Sequence, residues 1–223
     1  MRKSKKRVCV IGLGQFGREL AVSFAPMCEV MAIDINQEIV NRIVDKVHSA
    51  TVVDARDFES LASVISRDYD EAVVALSENM EASVLAVLHL KKIGIARIYA
   101  KARNRDHATI LEAVGADAII FPERDTARRL ARQVMHENLL DYVPFGDEYA
   151  VMRIHAPARC IGKSLQELDL RAQFGIFVIA IDHESDDSTN FLPGPDAVLT
   201  TDSVMSVIGK PEQVEQMQKA LED

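Results

Sequence analysis

Apolar positions over residues 7–137 follow two alternating patterns. Short unbroken runs rich in β-branched residues occur at 7–11 (RVCVI), 30–33 (VMAI), 49–53 (SATVV), 72–76 (AVVAL), 97–101 (RIYAK) and 118–121 (AIIF). Between them apolar residues recur at helical spacing. In residues 79–94 (NMEASVLAVLHLKKIG), Val84, Leu85, Val87 and Leu88 keep that period, and Gly94 stops it as a helix C-cap does. Residues 123–140 (ERDTARRLARQVMHENLL) predict one more helix, with Ala127, Leu130, Ala131, Val134 and Leu140 toward one side. Strands that are apolar throughout, each followed by a helix, predict a parallel sheet covered on both faces, a doubly wound α/β fold.

Beyond Pro144 the pattern changes. Residues 148–157, 175–182, 189–193 and 203–209 read as strands, 164–169 as a short helix and 211–222 as a terminal helix. The stretch 183–190 (HESDDSTN) reads as a polar hairpin loop, and Gly194 between two prolines as a turn. Strands without long helices between them predict a small α+β module. The expected division is therefore a domain of residues 1–140, with the last long helix, and a second of residues 141–223.

Charge sharpens that division. Residues 1–146 carry 20 basic and 20 acidic side chains, whereas residues 147–223 carry 6 and 14, so the net charge of −8 belongs to the C-terminal third. Duplex nucleic acid is not the expected partner, because neutralising its backbone needs a basic face. The basic start MRKSKKR reads as a solvated tail before a first core strand, not as a signal peptide. Charged residues interrupt each apolar stretch before a membrane span's length. Cys9, Cys28 and Cys160 are scattered, without a C-x-x-C pair, which argues against disulfides and a thiolate metal site and fits a reducing cytoplasm. Nor do His48, His89, His136, His155 and His183 show metal-ligand spacing.

The chemistry is concentrated after the first strand. Gly12, Gly14 and Gly17 form G-x-G-x-x-G between a strand and a helix: the first glycine permits the turn, the second lets a pyrophosphate approach, and the third brings helix onto strand. The helix N-terminus then receives the anion. Asp34 ends the next strand, 20 residues past Gly14, where a carboxylate holds a ribose diol and repels a 2′-phosphate. NADP is thereby disfavoured, while NAD, ATP, ADP and AMP all present the same diol. Asp54 and Ala55, in VVDARD, follow the third strand and have two readings, beside an adenine or with Asp54 capping the next helix. Lys101, Arg103 and Arg105 follow the fifth strand, either near the phosphates or as ordinary surface charges. The helical pattern puts His107 on a polar face.

The ordered set GLGQFG, AIDIN, VVDARD, VALSENMEASVL, IYAKARN and LEAVGADAIIFPERD resembles the RCK (regulator of potassium conductance) family, the cytosolic subunits of Trk and Ktr potassium-uptake systems. Residues 161–182 and 192–217 resemble the small C-terminal RCK subdomain, so the likeness spans nearly the whole chain. It implies a Rossmann-like sheet followed by that α+β subdomain, and a non-enzymatic regulator lying at the inner face of the cell membrane. Such regulators form homodimers through the last N-terminal helix, assemble into rings, often octamers, and dock on a membrane potassium-translocating subunit. Exchange of ATP against ADP, or of NADH against NAD, gates the transporter. The resemblance places Gly12, Gly14, Phe16 and Gly17 in the phosphate loop, Asp34 at the ribose and Asp54 and Ala55 at the adenine. Lys101 and Arg103 lie toward the distal phosphates, and Glu123 near a cation at the dimer interface. Gln15 stands where ATP-responsive relatives often carry arginine, which removes a charge-assisted contact of about 1.5–3 kcal/mol and leaves NAD(H), ADP or AMP open. In some members of the family the C-terminal subdomain binds cyclic di-AMP, and the matching stretch here is Leu170, Arg171, Phe174, Gly175, Ile176 and Phe177, with Arg171 at a phosphate and Ile176 stacking; the other reading makes these core and dimer-interface residues only.

The alternative function for such a chain is an NAD-dependent oxidoreductase, which requires an acid–base group beside the nicotinamide. Past residue 146 the chain offers only His155 and His183, neither with an evident carboxylate partner. A nucleotide-sensing transcription factor would need a basic helix-turn-helix unit, which the acidic C-terminal third lacks.

Overall fold

The structure, a computed structural model, describes residues 5–135, 139–146, 148–183, 185 and 188–222, with backbone alone at 132 and 133. Residues 1–4 of the basic start, His136, and residues 184, 186 and 187 of the polar loop lie outside these. The chain divides into two compact units, Met1–Arg124 and Asp125–Asp223.

The first unit alternates strand and helix: β1 (Arg7–Ile11), α1 (Gln15–Phe24), β2 (Glu29–Asp34), α2 (Gln37–Asn41), β3 (Ser49–Val52), α3 (Phe58–Val64), β4 (Glu71–Val74), α4 (Met80–Ile93), β5 (Arg97–Lys101), α5 (Arg105–Val114) and β6 (Ala118–Ile120). The strands form one parallel sheet in the order β3-β2-β1-β4-β5-β6. This is a doubly wound Rossmann-like sheet whose order reverses between β1 and β4, where such folds open a ligand crevice. The unbroken apolar strands have a direct cause. In β1, Cys9 and Ile11 face a core shared with Val87, Leu90 and Ile98, while Val8 and Val10 face a second core with Leu13, Ala21 and Ile43. Both faces are buried over residues 8–11, so no position there is left for a polar residue.

Side chains stop most of the helices from fraying. Asn36, Asp57, Asn79 and Asn104 cap α2, α3, α4 and α5 by accepting backbone N–H bonds, and Gly94 closes α4 in the left-handed conformation at φ 95°. The cap of α3 is Asp57, so the capping role considered for Asp54 is not the one it plays.

Helix α6 (Pro122–Met135) leads on to β7 (Leu139–Phe145), β8 (Tyr149–His155), α7 (Leu165–Leu168), α8 (Leu170–Phe174), β9 (Phe177–His183), β10 (Thr189–Phe191), β11 (Ser203–Gly209) and α9 (Pro211–Leu221). The strands of the second unit form an antiparallel sheet in the order β10-β9-β11-β8-β7. Leu139 and Leu140 open β7 and do not continue the preceding helix as their spacing suggested. Paired with β8, β7 is an edge strand with an irregularity between Leu139 and Asp141, and Pro144 is tolerated there because an edge strand has an unpaired side. The three cysteines are all buried and free, and burial pushes the thiols upward.

Candidate nucleotide site

The loop between β1 and α1 shows what each glycine is for. Gly12 takes φ 90°, and a Cβ there would lie 2.7 Å from the Leu76 side chain. A Cβ at Gly17 would collide with the Gly12 carbonyl oxygen, so glycine here is the condition for α1 to meet β1. Gly14 is different: its φ is −58°, and no protein atom lies within 4 Å of where its Cβ would sit. Nothing in the protein demands glycine at 14. A group approaching from solvent would.

The helix behind it has an open N-terminus. Gly14 caps α1 without any side-chain bond, and the first turn carries no acidic residue. The first helical bond runs from the Arg18 N–H to the Gly14 carbonyl, 3.0 Å, so the N–H groups of Gln15, Phe16 and Gly17 precede the ladder at the positive end of the dipole. Gln15 is exposed and Phe16 half-buried.

Asp34, at the end of β2, is nearly buried, and its carboxylate is held on both sides. Leu13 N–H donates to Oδ2 at 2.7 Å and Asn36 N–H to Oδ1 at 2.9 Å. The carboxylate is thereby fixed to the glycine loop. Beside it a cleft of about 180 Å³ is lined by Ile11, Gly12, Asp34, Ile35, Val53, Asp54, Ala55, Arg56, Leu76, Asn79 and Ala82. Its apolar lining is aliphatic, and Asp34, Asp54, Arg56 and Asn79 supply its polar groups. Asp54 and Ala55 both line it. Asp54 is gripped by Arg56, whose Nε and Nη2 donate at 2.7–3.1 Å, and this pairing holds the carboxyl below its usual range. Ala55 is fixed from behind by His89, whose Nδ1 lies 3.1 Å from the Ala55 carbonyl. Arg56 was missed in the sequence, although its place two residues after Asp54 was a usable signal.

Across the crevice, Lys101 at the end of β5 meets Glu123 at the start of α6, with Nζ 2.5 Å from Oε1, and its Nζ lies 5.7 Å from the centre of the Phe16 ring. The bond to Lys101 lowers the Glu123 carboxyl from its ordinary value. Three of the expected residues, Phe16, Lys101 and Glu123, are thus brought together. Arg103 is not. Its guanidinium is exposed, and its described bond is from the backbone N–H to His107 Nδ1 at 3.3 Å. Among the described residues no group of three His, Cys, Asp or Glu gathers at Glu123 or elsewhere as a metal would need.

His107 is buried and not on a polar face. Its Nε2 lies 2.6 Å from Ser83 Oγ. Because Nδ1 accepts from Arg103, Nε2 carries the proton and donates to Ser83, whose hydroxyl in turn donates to the Met80 carbonyl at 3.1 Å. Burial lowers the His107 pKa.

In the second unit the residues expected around a cyclic dinucleotide do not all face solvent. Ile176 is 1% exposed in the core, so its side chain is not presented for stacking, and Phe174 is half-buried against the same core. Arg171 is exposed and its guanidinium lies over the ring of Phe177 at 4.7 Å. The apolar surface next to Arg171 is therefore Phe177.

Residues 8–122 match the TrkA-N domain and residues 149–222 the TrkA-C domain. The chain belongs to the TrkA-N/TrkA-C, or RCK, family. This RCK chain is 35% identical to Ktr system potassium uptake protein C of Bacillus subtilis over 96% of its own length and 97% of that protein. It is 33% identical to Ktr system potassium uptake protein A of the same organism, over 97% of both. Its fold is shared with the GsuK channel, TM-score 0.69 at 16% identity, and with the GsuK channel bound to NAD, TM-score 0.64 at 16% identity. The RCK chain is covered completely in both, and accounts for 40% of each channel chain. No helix among the described residues is long and apolar enough to cross a membrane.

Proposed function

We propose that this chain is the nucleotide-sensing regulatory subunit of a potassium-uptake system, acting by binding and not by catalysis. Its near full-length kinship with the Ktr potassium uptake proteins supports the system, and the crevice supports the sensor. The ligand is an adenine nucleotide, ATP or ADP, or NAD or NADH; the NAD-bound GsuK channel makes the last pair a natural choice for this fold. Asp34 holds the ribose and excludes a 2′-phosphate, the cleft from Val53 to Arg56 takes the adenine, and the uncapped α1 N-terminus takes the pyrophosphate.

The observation that carries the sensing step is the Lys101–Glu123 pair. A phosphate or second ribose reaching past the glycine loop competes with Glu123 for the Lys101 ammonium. Breaking the pair releases the first turn of α6. That helix presents Leu130, Val134 and Met135 to solvent, 56, 71 and 77% exposed, a surface suited to a second copy of the chain. Nucleotide identity is thus converted into the position of the dimer helix, and through paired subunits into the shape of a ring, taken here as an octamer, docked on the membrane subunit at its cytoplasmic side. A cation at the same corner would take the place of Lys101 beside Glu123. A ligand shifts such a ring only by its difference in affinity between the two shapes.

The oxidoreductase alternative gains nothing from His107, whose two ring nitrogens are both engaged inside the fold. The test is a titration of nucleotide-stripped protein with ATP, ADP, AMP, NAD and NADH, followed by thermal midpoint and by small-angle scattering. Stabilisation by mass action, with a scattering change for some nucleotides and not others, is the expected result. Absence of stabilisation by all of them defeats the sensor, and turnover of NADH with a small-molecule acceptor defeats the non-enzymatic reading.

A further inference from the structure

One buried titratable side chain has no part in the roles described so far. His89, in the third turn of α4, is 6% exposed and shares a helix face with the buried Ala82 and Ala86. An imidazole buried there is less favourable than the leucine such a position ordinarily takes, unless its polar atoms are used. One of them is. Nδ1 lies 3.1 Å from the Ala55 carbonyl oxygen, and a carbonyl only accepts, so Nδ1 carries the proton and donates it. Ala55 needs that donor. It is buried past the end of β3 and before α3, where no sheet ladder reaches and an unpaired carbonyl is costly.

The ring is held at a second point. Phe58, the first residue of α3, meets it edge to face, with ring centres 5.5 Å apart and planes at 74°. His89 therefore grips the turn between β3 and α3 at both of its ends, Ala55 and Phe58. That turn lines the nucleotide cleft through Asp54, Ala55 and Arg56, while α4 lines it through Asn79 and Ala82, two turns before His89. One buried side chain thus ties together two walls of the same cleft.

We infer that His89 is a positioning residue that sets the width of the base slot, and with it a preference for adenine over guanine, which carries one more exocyclic group. The inference rests on the adenine reading of this cleft. Ala55 and Ala82 offer only methyl groups to a base. At those two positions discrimination is by fit, and fit is kept only while the walls do not move apart.

The test is calorimetry with ADP and GDP on wild type, His89→Asn and His89→Leu. Asparagine keeps an N–H at the δ position, whereas leucine fills the space and removes the donor. Wild type is expected to bind ADP at least about tenfold more tightly than GDP. His89→Leu should lose about tenfold in ADP affinity with GDP changed less than about threefold, while His89→Asn stays within about threefold of wild type for both. A further readout needs no substitution. With ¹⁵N-labelled histidine, the His89 ring signal of wild type should shift saturably with ADP and stay unmoved by inorganic pyrophosphate, which has no base.

Equal binding of ADP and GDP by wild type overturns the inference. So does a His89→Leu protein that keeps the ADP preference or weakens both nucleotides alike, as a merely structural histidine would. Loss of the preference in His89→Asn has the same meaning, since the donor is then not what matters. A ring signal indifferent to ADP also overturns it, and that result stands even where His89→Leu fails to fold. Wild type that binds neither nucleotide defeats the adenine reading and this inference with it, and is seen before any variant is compared.

Discussion

Lys101 Nζ lies 2.5 Å from Glu123 Oε1, and this bond joins the end of β5 to the first turn of α6. The two side chains differ in setting: Lys101 is 12% exposed and Glu123 71%. The lysine is fixed by its surroundings, whereas the carboxylate is a mobile partner that another anion can displace. Lys101→Met is expected to weaken every nucleotide that extends beyond the α-phosphate, by about tenfold for a lost charge-assisted bond. Glu123→Gln is expected to bind the same nucleotides as well as wild type or better, because Lys101 is then unclaimed. Calorimetry on the two variants decides it. Weaker binding by Glu123→Gln would mean that the carboxylate holds the ligand itself, through a cation.

The same pair has a defined pH window. Lys101 lowers the folded-state pKa of Glu123, so its contribution is present above the unfolded value of about 4.3 and is lost as pH falls through the lower folded value. Nucleotide-free protein should therefore keep the link at neutral pH and lose it only in acid. Comparing chemical denaturation of wild type and Glu123→Gln across pH 3–7 measures this, and the two curves should converge at the acid end. With Glu123 largely exposed, the gap at neutral pH should stay within about 1 kcal/mol.

Gly14 and Gly17 should separate binding from folding. Gly14→Ser supplies a good N-cap and meets no protein atom, so its midpoint should match or exceed wild type, while the added side chain obstructs the pyrophosphate and nucleotide affinity falls at least about tenfold. Gly17→Ala drives a methyl into the Gly12 carbonyl and should destabilise by about 1–3 kcal/mol or more. Denaturation midpoints and nucleotide titrations on the same samples check both. Equal behaviour of the two variants would remove the distinction between a ligand glycine and a packing glycine.

The Ser83–His107 bond is a purely internal matter with a measurable price. Ser83→Ala leaves the Nε2–H of a buried ring without an acceptor and should cost about 1–3 kcal/mol. Because burial lowers the His107 pKa, the unfolded chain takes up the proton first as the medium acidifies. Stability from this group is complete above about pH 6.5 and declines as pH falls through the folded value. His107→Gln should flatten the stability profile between pH 7 and 5 in urea titrations.

The exposed stripe on α6 predicts an assembly defect without a folding defect. Leu130→Glu and Val134→Glu place a charge where apolar side chains already face solvent, so monomer stability should change by less than about 0.5 kcal/mol. Light scattering after size exclusion should show smaller species than wild type. Unchanged mass would show that the copies meet elsewhere.

The first unit was legible in the sequence because both faces of its sheet are buried, which leaves whole strands apolar and the loops between them polar. The turn between β1 and α1 was equally clear, since glycine at 12 and 17 answers to backbone geometry that local spacing records. The edge strand Leu139–Phe145 was not. Leu139 and Leu140 continue a helical spacing, Pro144 and Gly146 imitate a linker, and the irregularity after Leu139 breaks the alternation that would announce a strand. His107 misled because its burial depends on Ser83, 24 residues away, and no helical pattern reports a tertiary partner. Asp54 kept two readings until Asp57 proved to be the cap and Arg56 the partner. Ile176 is buried and its neighbour Phe177 exposed, because at the entrance to β9 one step moves a side chain from the core to the surface, which composition alone does not report.

The absence of a side chain at Gly17 gives the molecule a stiff wall facing a soft latch. With α1 seated against the Gly12 carbonyl, β1 and α1 behave as one solid corner that cannot yield when a ligand presses on it. The opposite side of the crevice is closed by one ion pair whose acidic member stands mostly in water. A load applied between the two is relieved at the compliant side. On the proposed function, displacement produced by a ligand is therefore delivered to α6, with little of it dissipated in the glycine loop.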